Sequence, residues 1–422
     1  MIDSKKITDF LKKYIVTILI LVLSLTFIIL GDLDTTSVAR DLMKRLSRNA
    51  FIVLSLIIPI VAGMGINFAI TIGAMAAQIG LLLAINWDLT GPLGILVAAA
   101  ITLPLGALFG YLVGVMLNKM KGQETIGSMI LGYFANGAYQ LLFLYIFGNF
   151  IPLTSKGTIL GATGVKNTLD LTTNGLAQAI DGILRIPFLN CVYIFAGAGS
   201  AYALVMFLLK KMPKKKAIVT AACSAVLAAV FCLPVVANCF NGTNSEQITV
   251  PGVTWILILL LCGFNVLIMK TRLGQKFRAV GQSQTVANAS GINVDRVRLI
   301  AIMISTVLAG WGQLLFIQSD GMGTLTTYSA HEQVGLYAGA AILVGGASID
   351  RATNSQALLG TVLFHLMFLT VQKAASALFG DAVIGEYFRA FLSYAVIAVA
   401  LVMYAWKGNA KRKKKQKDLR TA

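Results

Sequence analysis

Apolar residues along this chain fall in long unbroken runs separated by short basic loops, not at the three-to-four spacing that marks one buried stripe of a soluble helix. About 20 consecutive apolar residues carry a helix across the hydrocarbon of a bilayer. Runs of that order occupy residues 14–30, 93–117, 125–147, 186–209, 217–236, 253–269, 299–317, 352–372 and 390–406. Two further stretches fit a single span poorly. Residues 51–85 are free of charge, too long for one crossing and short for two, and Gly63, Gly65 and Asn67 interrupt them; residues 334–349 are interrupted by Gly335, Gly339, Gly345 and Gly346. The pattern predicts an all-α, polytopic transmembrane helix bundle of about 10–12 membrane segments, some of them broken or re-entrant. Paired Gly-interrupted segments in the two halves of a chain point to a solute pathway at their interface, and close helix packing by small residues is the alternative reading.

The loops set the direction of threading. Lys5, Lys6, Lys12 and Lys13, Lys119 and Lys121, the clusters at 210–216 and 270–298, Arg351 and the cluster at 407–420 hold most of the 35 Lys and Arg residues. Placing them on one side satisfies the positive-inside rule and leaves both termini cytoplasmic. On this reading residues 1–422 form one integral membrane domain, with 148–185 an extracytoplasmic segment, 271–298 a cytoplasmic loop and 407–422 a basic cytoplasmic tail. The first apolar run follows a basic stretch as a signal peptide would, but no small-residue cleavage site closes it, so it reads as a retained helix. Arg40, Lys44, Arg45 and Arg48 break the rule and are drawn as an interfacial helix on the outer side.

Composition narrows the function. Of 422 residues, 57% are apolar and 12% charged, which excludes a water-soluble fold. The net charge of +18 sits between apolar runs and not on a soluble basic face, so nucleic acid is excluded as a partner and membrane lipid is the surrounding medium. Cys191, Cys223, Cys232, Cys239 and Cys262 show no Cys-x-x-Cys pairing, and His331 and His365 lie apart, so neither a metal site nor a catalytic set is expected. His365 reads as a hydrogen-bonded helix residue. No Gly-x-x-x-x-Gly-Lys-Ser/Thr motif occurs, so the chain is expected to bind no cofactor itself, and ATP, if used, belongs to another chain.

No acidic residue lies in the middle of an apolar run; Asp88, Glu124, Glu332 and Asp350 fall near run ends. Proton-driven carriers bury ionisable relays, so an ion-coupled secondary transporter is the disfavoured alternative. The polar groups expected within the membrane are neutral: Asn67, Thr71, Gln78, Asn136, Gln140, Gln313 and Gln372. Asn67, Thr71, Gln78, Asn136 and Gln140 are candidates to line a pathway for a neutral polar solute, with interhelical hydrogen bonds as the plainer role.

Residues 271–298 are too organised for a tether: Ser283 can cap a short helix over 284–290 and Gly291 can end it in a left-handed conformation. A helix of one to two turns is marginal alone and makes sense docked into a partner. Within this loop, Arg278-Ala279-Val280-Gly281-Gln282 and Ala289-Ser290-Gly291-Ile292-Asn293-Val294 resemble the cytoplasmic loop of permease subunits of bacterial ABC importers for branched-chain amino acids, ribose and nucleosides. Gly65-Ile66-Asn67 with Gly73 and Gln78, Glu124-Thr125-Ile126 with Met129-Ile130-Leu131, and Gly345-Gly346 are similar to further motifs of its nucleoside and simple-sugar branch; Gly132 stands where that branch has Asn. The resemblance covers about residues 51–406, and residues 148–185 match nothing in it. It implies a non-catalytic permease importing a nucleoside or simple sugar, with riboflavin or a branched-chain amino acid as alternatives. It implies cytoplasmic ABC ATPase subunits holding ATP and Mg, a second permease subunit, identical or related, and an extracytoplasmic solute-binding protein or lipoprotein. Arg278, Ala279, Gly281, Ala287, Ala289 and Gly291 would then couple the permease to the ATPase.

Overall fold

The computed structural model describes residues 4–146, 158–160, 166–172, 174–208, 214–233, 248–320, 322, 324–326, 332–348, 351–399 and 402. Helices dominate: α1 (Ser4–Leu30), α2 (Thr35–Ser55), α3 (Ile57–Val61), α4 (Ile70–Asn86), α5 (Gly91–Lys119), α6 (Glu124–Leu141), α7 (Phe188–Leu208) and α8 (Lys214–Cys232). After these come α9 (Gly252–Lys270), α10 (Arg272–Gln282), α11 (Gln284–Ala289), α12 (Val294–Gln318), α13 (Val334–Val344) and α14 (Asn354–Phe379), and then α15 (Ala382–Val399). Among the described residues, six helices are long and apolar enough to cross a membrane, with shorter apolar helices at Val16–Leu30, Ile70–Asn86 and Val334–Val344. The chain is an all-α polytopic bundle, as its run pattern predicts.

Small residues set the closest approaches. Gly106, Gly110 and Gly114 on α5 face Val307, Met303 and Leu299 on α12, so two antiparallel helices meet on a four-residue repeat. Gly73 of α4 leaves room for the Thr306 carbonyl, and α12 is buried for most of its length among α2, α4 and α5. Elsewhere on its surface α5 exposes Leu96, Leu103, Leu108 and Leu112, as a lipid-facing helix does. α7 and α8 pair as a hairpin that meets the rest through the short strands β3 (Arg185–Pro187) and β4 (Thr249–Pro251).

Residues 51–85 are broken where the glycines predict. α3 ends at Val61, Gly63 and Gly65 take left-handed φ of +76° and +68°, and α4 restarts at Ile70. α13 has 11 residues, about 16 Å at 1.5 Å per residue, against the roughly 30 Å of a hydrocarbon core. Gly346 turns it back at φ +84°, and a capping box between Thr353 and Gln356 starts α14. The two interrupted segments meet: Gly335 of α13 lies against the Phe68 carbonyl and Gly339 against Ile66 and the Phe68 ring.

Two readings need correction. Residues 31–48 do not form a separate interfacial helix. Asp34 caps α2 by accepting from the Thr36 and Ser37 amides, and the helix then runs without a break into the apolar interior through Ala50, Phe51 and Val53. Its arginines are accommodated on aromatic faces: Arg45 lies 4.9 Å from the centre of the Phe368 ring, Arg389 covers the same ring at 4.4 Å, and Arg48 stands 5.8 Å from Phe316. His365, at 3% exposure, has an Nδ1 with no hydrogen-bond partner among the described residues and packs between Phe364 and Phe368 instead. His331 and the tail at 407–422 lie outside those residues.

The end of the bundle opposite α10 and α11 carries the strands. β1 (Thr158–Leu160), β2 (Lys166–Asp170) and β5 (Thr324–Thr326) form a small antiparallel sheet in the order β1-β2-β5. Residues 174–184 dock beside it through a polar knot. Asp181 accepts from Thr254 Oγ1 and, at 2.8 Å, from Gln318 Nε2, while Gln318 Oε1 takes the Ile180 and Asp181 amides. Burial holds the Asp181 carboxyl above the usual carboxylate range, opposed by those side-chain bonds. Asp320, hydrogen-bonded by Lys44 at 2.7 Å, is held below that range.

Candidate functional site

The loop between α9 and α12 folds as two helices. Thr271 Oγ accepts the Gly274 amide to open α10, and Phe277 and Val280 turn fully into the core. Gly281 closes the contact: a methyl group there would stand 2.2 Å from the Val61 carbonyl oxygen, and one on Gly63 would stand 2.7 Å from the Gly281 Cα. Arg278 donates to the Met269 carbonyl, tying α10 back to α9, and Ala279 packs against the core.

Ser283 accepts the Val286 amide and opens α11. Ser290 ends it and Gly291 follows at φ +77°; the Gly291 amide donates to Asn288 and the Ile292 amide to Ala287, both at 3.0 Å, which is a Schellman ending. α11 is anchored on one side by buried Ala287, while Thr285, Val286, Asn288 and Ala289 are exposed, Val286 at 64%. A short, doubly capped helix with an outward apolar residue offers a rigid surface for another chain.

Beneath the loop lies a buried ion pair. Arg298, fully buried on α12, bonds Glu124 at the start of α6 at 2.6 Å and reaches Gln284 of α11 at 3.3 Å. Beside it Lys121 pairs with Asp295 at 2.6 Å.

The five candidate pathway residues divide. Thr71 and Asn136 line one cavity of about 190 Å³, together with Phe68, Gly132, Tyr133, Glu332, Gln333 and Tyr394. Gln140 stands next to it, donating to Glu332 at 3.0 Å. Asn67 and Gln78 are instead buried in packing: Asn67 Oδ1 accepts the Ala69 amide and shapes the turn into α4, and Gln78 Oε1 accepts from the Tyr139 hydroxyl. Their amide nitrogens, Asn67 Nδ2 and Gln78 Nε2, have no partner among the described residues. Phe68, Tyr133, Glu332 and Tyr394 were not among the candidates. Gly132 leaves room on one wall of the cavity, where a methyl group would meet Thr71 Oγ1 at 3.2 Å. Aromatic rings alongside an amide, a hydroxyl and a carboxylate suit a flat or ring-shaped polar solute. Among the described residues no cluster of His, Cys, Asp and Glu could hold a metal ion.

Three relatives show the range of the likeness. A probable ABC transporter permease protein, YphD of Escherichia coli strain K12, is 30% identical over 38% of this chain and 45% of its own length. A probable ABC transporter permease protein, y4mJ of Sinorhizobium fredii, is 28% identical over 62% of this chain and 79% of its own. The nucleoside ABC transporter permease protein NupC of Lactococcus lactis is 26% identical over 42% and 52%. The matched region thus spans about half the length of the first and third. No solved structure matches. A bundle of membrane-spanning helices, interrupted in both halves and bearing a capped helix pair on one loop, is joined by a match over residues 41–403; the chain is a multi-pass membrane protein that belongs to the family of branched-chain amino acid transport system permease components.

Proposed function

We propose that this chain is the membrane subunit of an ATP-driven importer that passes a nucleoside or a simple sugar across the cytoplasmic membrane, with hydrolysis carried out by separate ATPase chains. The observation that carries the reading is the docked pair α10 and α11, whose exposed Val286 face fits a partner at the end of the bundle where the basic loops gather. Residues 278–291 are the coupling segment, and both termini lie on its side. A second permease subunit and an extracytoplasmic solute-binding protein complete the assembly. The cavity between α4, α6, α13 and α15 is the solute's resting place, with Thr71 and Asn136 hydrogen-bonding it and Phe68, Tyr133 and Tyr394 covering its ring. Asn67 and Gln78 support this site from behind. NupC, by its name a nucleoside permease, supports a nucleoside as one candidate solute.

Purification from the native membrane, with identification of the chains that accompany it, followed by uptake in proteoliposomes, tests the reading. ATP-dependent uptake of a nucleoside or sugar is expected, and Thr71→Ala and Asn136→Ala should each raise KM by about tenfold, the worth of one lost hydrogen bond. Uptake that persists without an ATPase and collapses when ion gradients are dissipated would establish a secondary transporter instead.

A further inference from the structure

We infer that Glu124, Arg298 and Gln284 form a relay that transmits movement of the coupling helix to the cavity, with Glu124 and Arg298 as positioning residues; the inference rests on the importer reading above. The relay joins three elements in sequence. Gln284 is the first residue of α11, Arg298 lies in the second turn of α12, and Glu124 is the first residue of α6. Gln284 Oε1 accepts from Arg298 Nη1 at 3.3 Å, and Arg298 Nη2 donates to Glu124 at 2.6 Å. A shift of α11 pulls on Arg298 through Gln284, and because Arg298 is fully buried it carries its partner Glu124 along, since a buried ion parted from its partner is strongly destabilised. A displaced α11 therefore draws the start of α6 with it.

The rest of α6 is built to respond. Its buried positions are confined to its ends: Glu124, Gly127 and Ser128 at one, Tyr139 at the other. Ser128 Oγ accepts the Phe68 amide at 3.1 Å, so a shift of this end of α6 also moves Phe68, and Tyr139 is held by Gln78. Between those ties lie Met129, Gly132, Tyr133 and Asn136, all of which face the cavity. A stiff helix anchored by polar contacts at its ends and loosely packed between them passes a tilt at Glu124 to Tyr133 and Asn136, two to three turns further on. The neighbouring pair Lys121 and Asp295 is exposed and joins α12 to the residues just before α6, holding the two starts together without a buried charge.

The test uses the complete assembly of permease, ATPase and binding protein in proteoliposomes, reading basal and solute-stimulated ATP hydrolysis, the solute imported per ATP and the KM for solute. Glu124→Gln keeps size and hydrogen bonding and removes the charge. Stimulation by solute and import per ATP should fall about tenfold, within the usual range of coupling between sites, with KM unchanged. Arg298→Lys, which keeps the charge and loses the forked geometry, should retain part of the stimulation. Full stimulation in an assembled Glu124→Gln transporter overturns the relay. If that variant does not assemble, Gln284→Ala, which leaves the ion pair intact, decides the same question: reduced import per ATP supports the relay and an unchanged ratio overturns it. Hydrolysis by the unaltered assembly that ignores the solute overturns the importer reading, and the relay with it.

Discussion

Gly281 shows how much one missing side chain holds in place. Its Cα passes so close to the Val61 carbonyl and the left-handed Gly63 that a methyl group would lie 2.2 Å from a backbone oxygen, which cannot rotate away as a side chain could. Gly281→Ala should therefore destabilise the chain by about 1–3 kcal/mol, the usual penalty for overpacking. Gly263, within α9, has open space where its methyl would stand, and Gly263→Ala should be neutral or stabilising by up to about 1 kcal/mol through better helix propensity. Thermal unfolding in detergent measures both, and equal effects would mean that the close approach at Gly281 relaxes freely. Local residue roles of this kind were partly open to reading from the sequence. Ser283 and Gly291 bracket a short helix as their capping chemistry requires, and Gly63 and Gly65 break a run. The partnership of Gln78 with Tyr139, 61 positions away, and the placing of Glu332 beside Thr71 depend on which helices become neighbours, and no local pattern carries that.

At the scale of elements, hydrophobic runs translate well into membrane helices, because length and apolarity are all the bilayer demands. α5 covers residues 91–119 where the run predicts 93–117. In the sequence of α2, Arg45 and Arg48 read as charges requiring water, whereas the fold stacks their guanidinium groups on Phe368 and Phe316 from distant helices. The strands were invisible for a related reason. Each has three to five residues, and β2 finds β5 more than 150 positions along the chain. The segment these strands lead into is fastened by Asp181, whose acid burial favours in protonated form. A carboxyl raised in the folded state adds stability that is fully present below its unfolded pKa, near 3.8, and is lost as pH rises through the folded value. Asp181→Asn can still accept from Thr254 and Gln318, so it should flatten that pH dependence and leave the variant more stable than the native chain at neutral pH. Parallel pH profiles of unfolding for the two proteins would show that burial does not govern this carboxyl.

For the molecule as a whole, the fold places α11 at one end, the cavity at the meeting of the two interrupted segments, and α6 between them. On the proposed importer reading, that order makes the geometry of the loop a matter of function more than of stability. Gly291 sits at φ +77° with open space around it, so its role is to let the chain leave α11 and enter α12 in one turn. Proline cannot adopt that φ and has no amide to donate to Asn288, so Gly291→Pro should misplace the exposed Val286 face while leaving the buried helices intact. The expected result is a chain that purifies and unfolds like the native one but whose solute-stimulated ATP hydrolysis is abolished in the assembled transporter. Gly291→Asn supplies the control, since Asn enters the left-handed region at a modest penalty and should keep most of the stimulation. Undiminished stimulation in the proline variant would remove α11 from the coupling surface and leave α10, packed through Gly281 onto Val61, as the element that meets the ATPase.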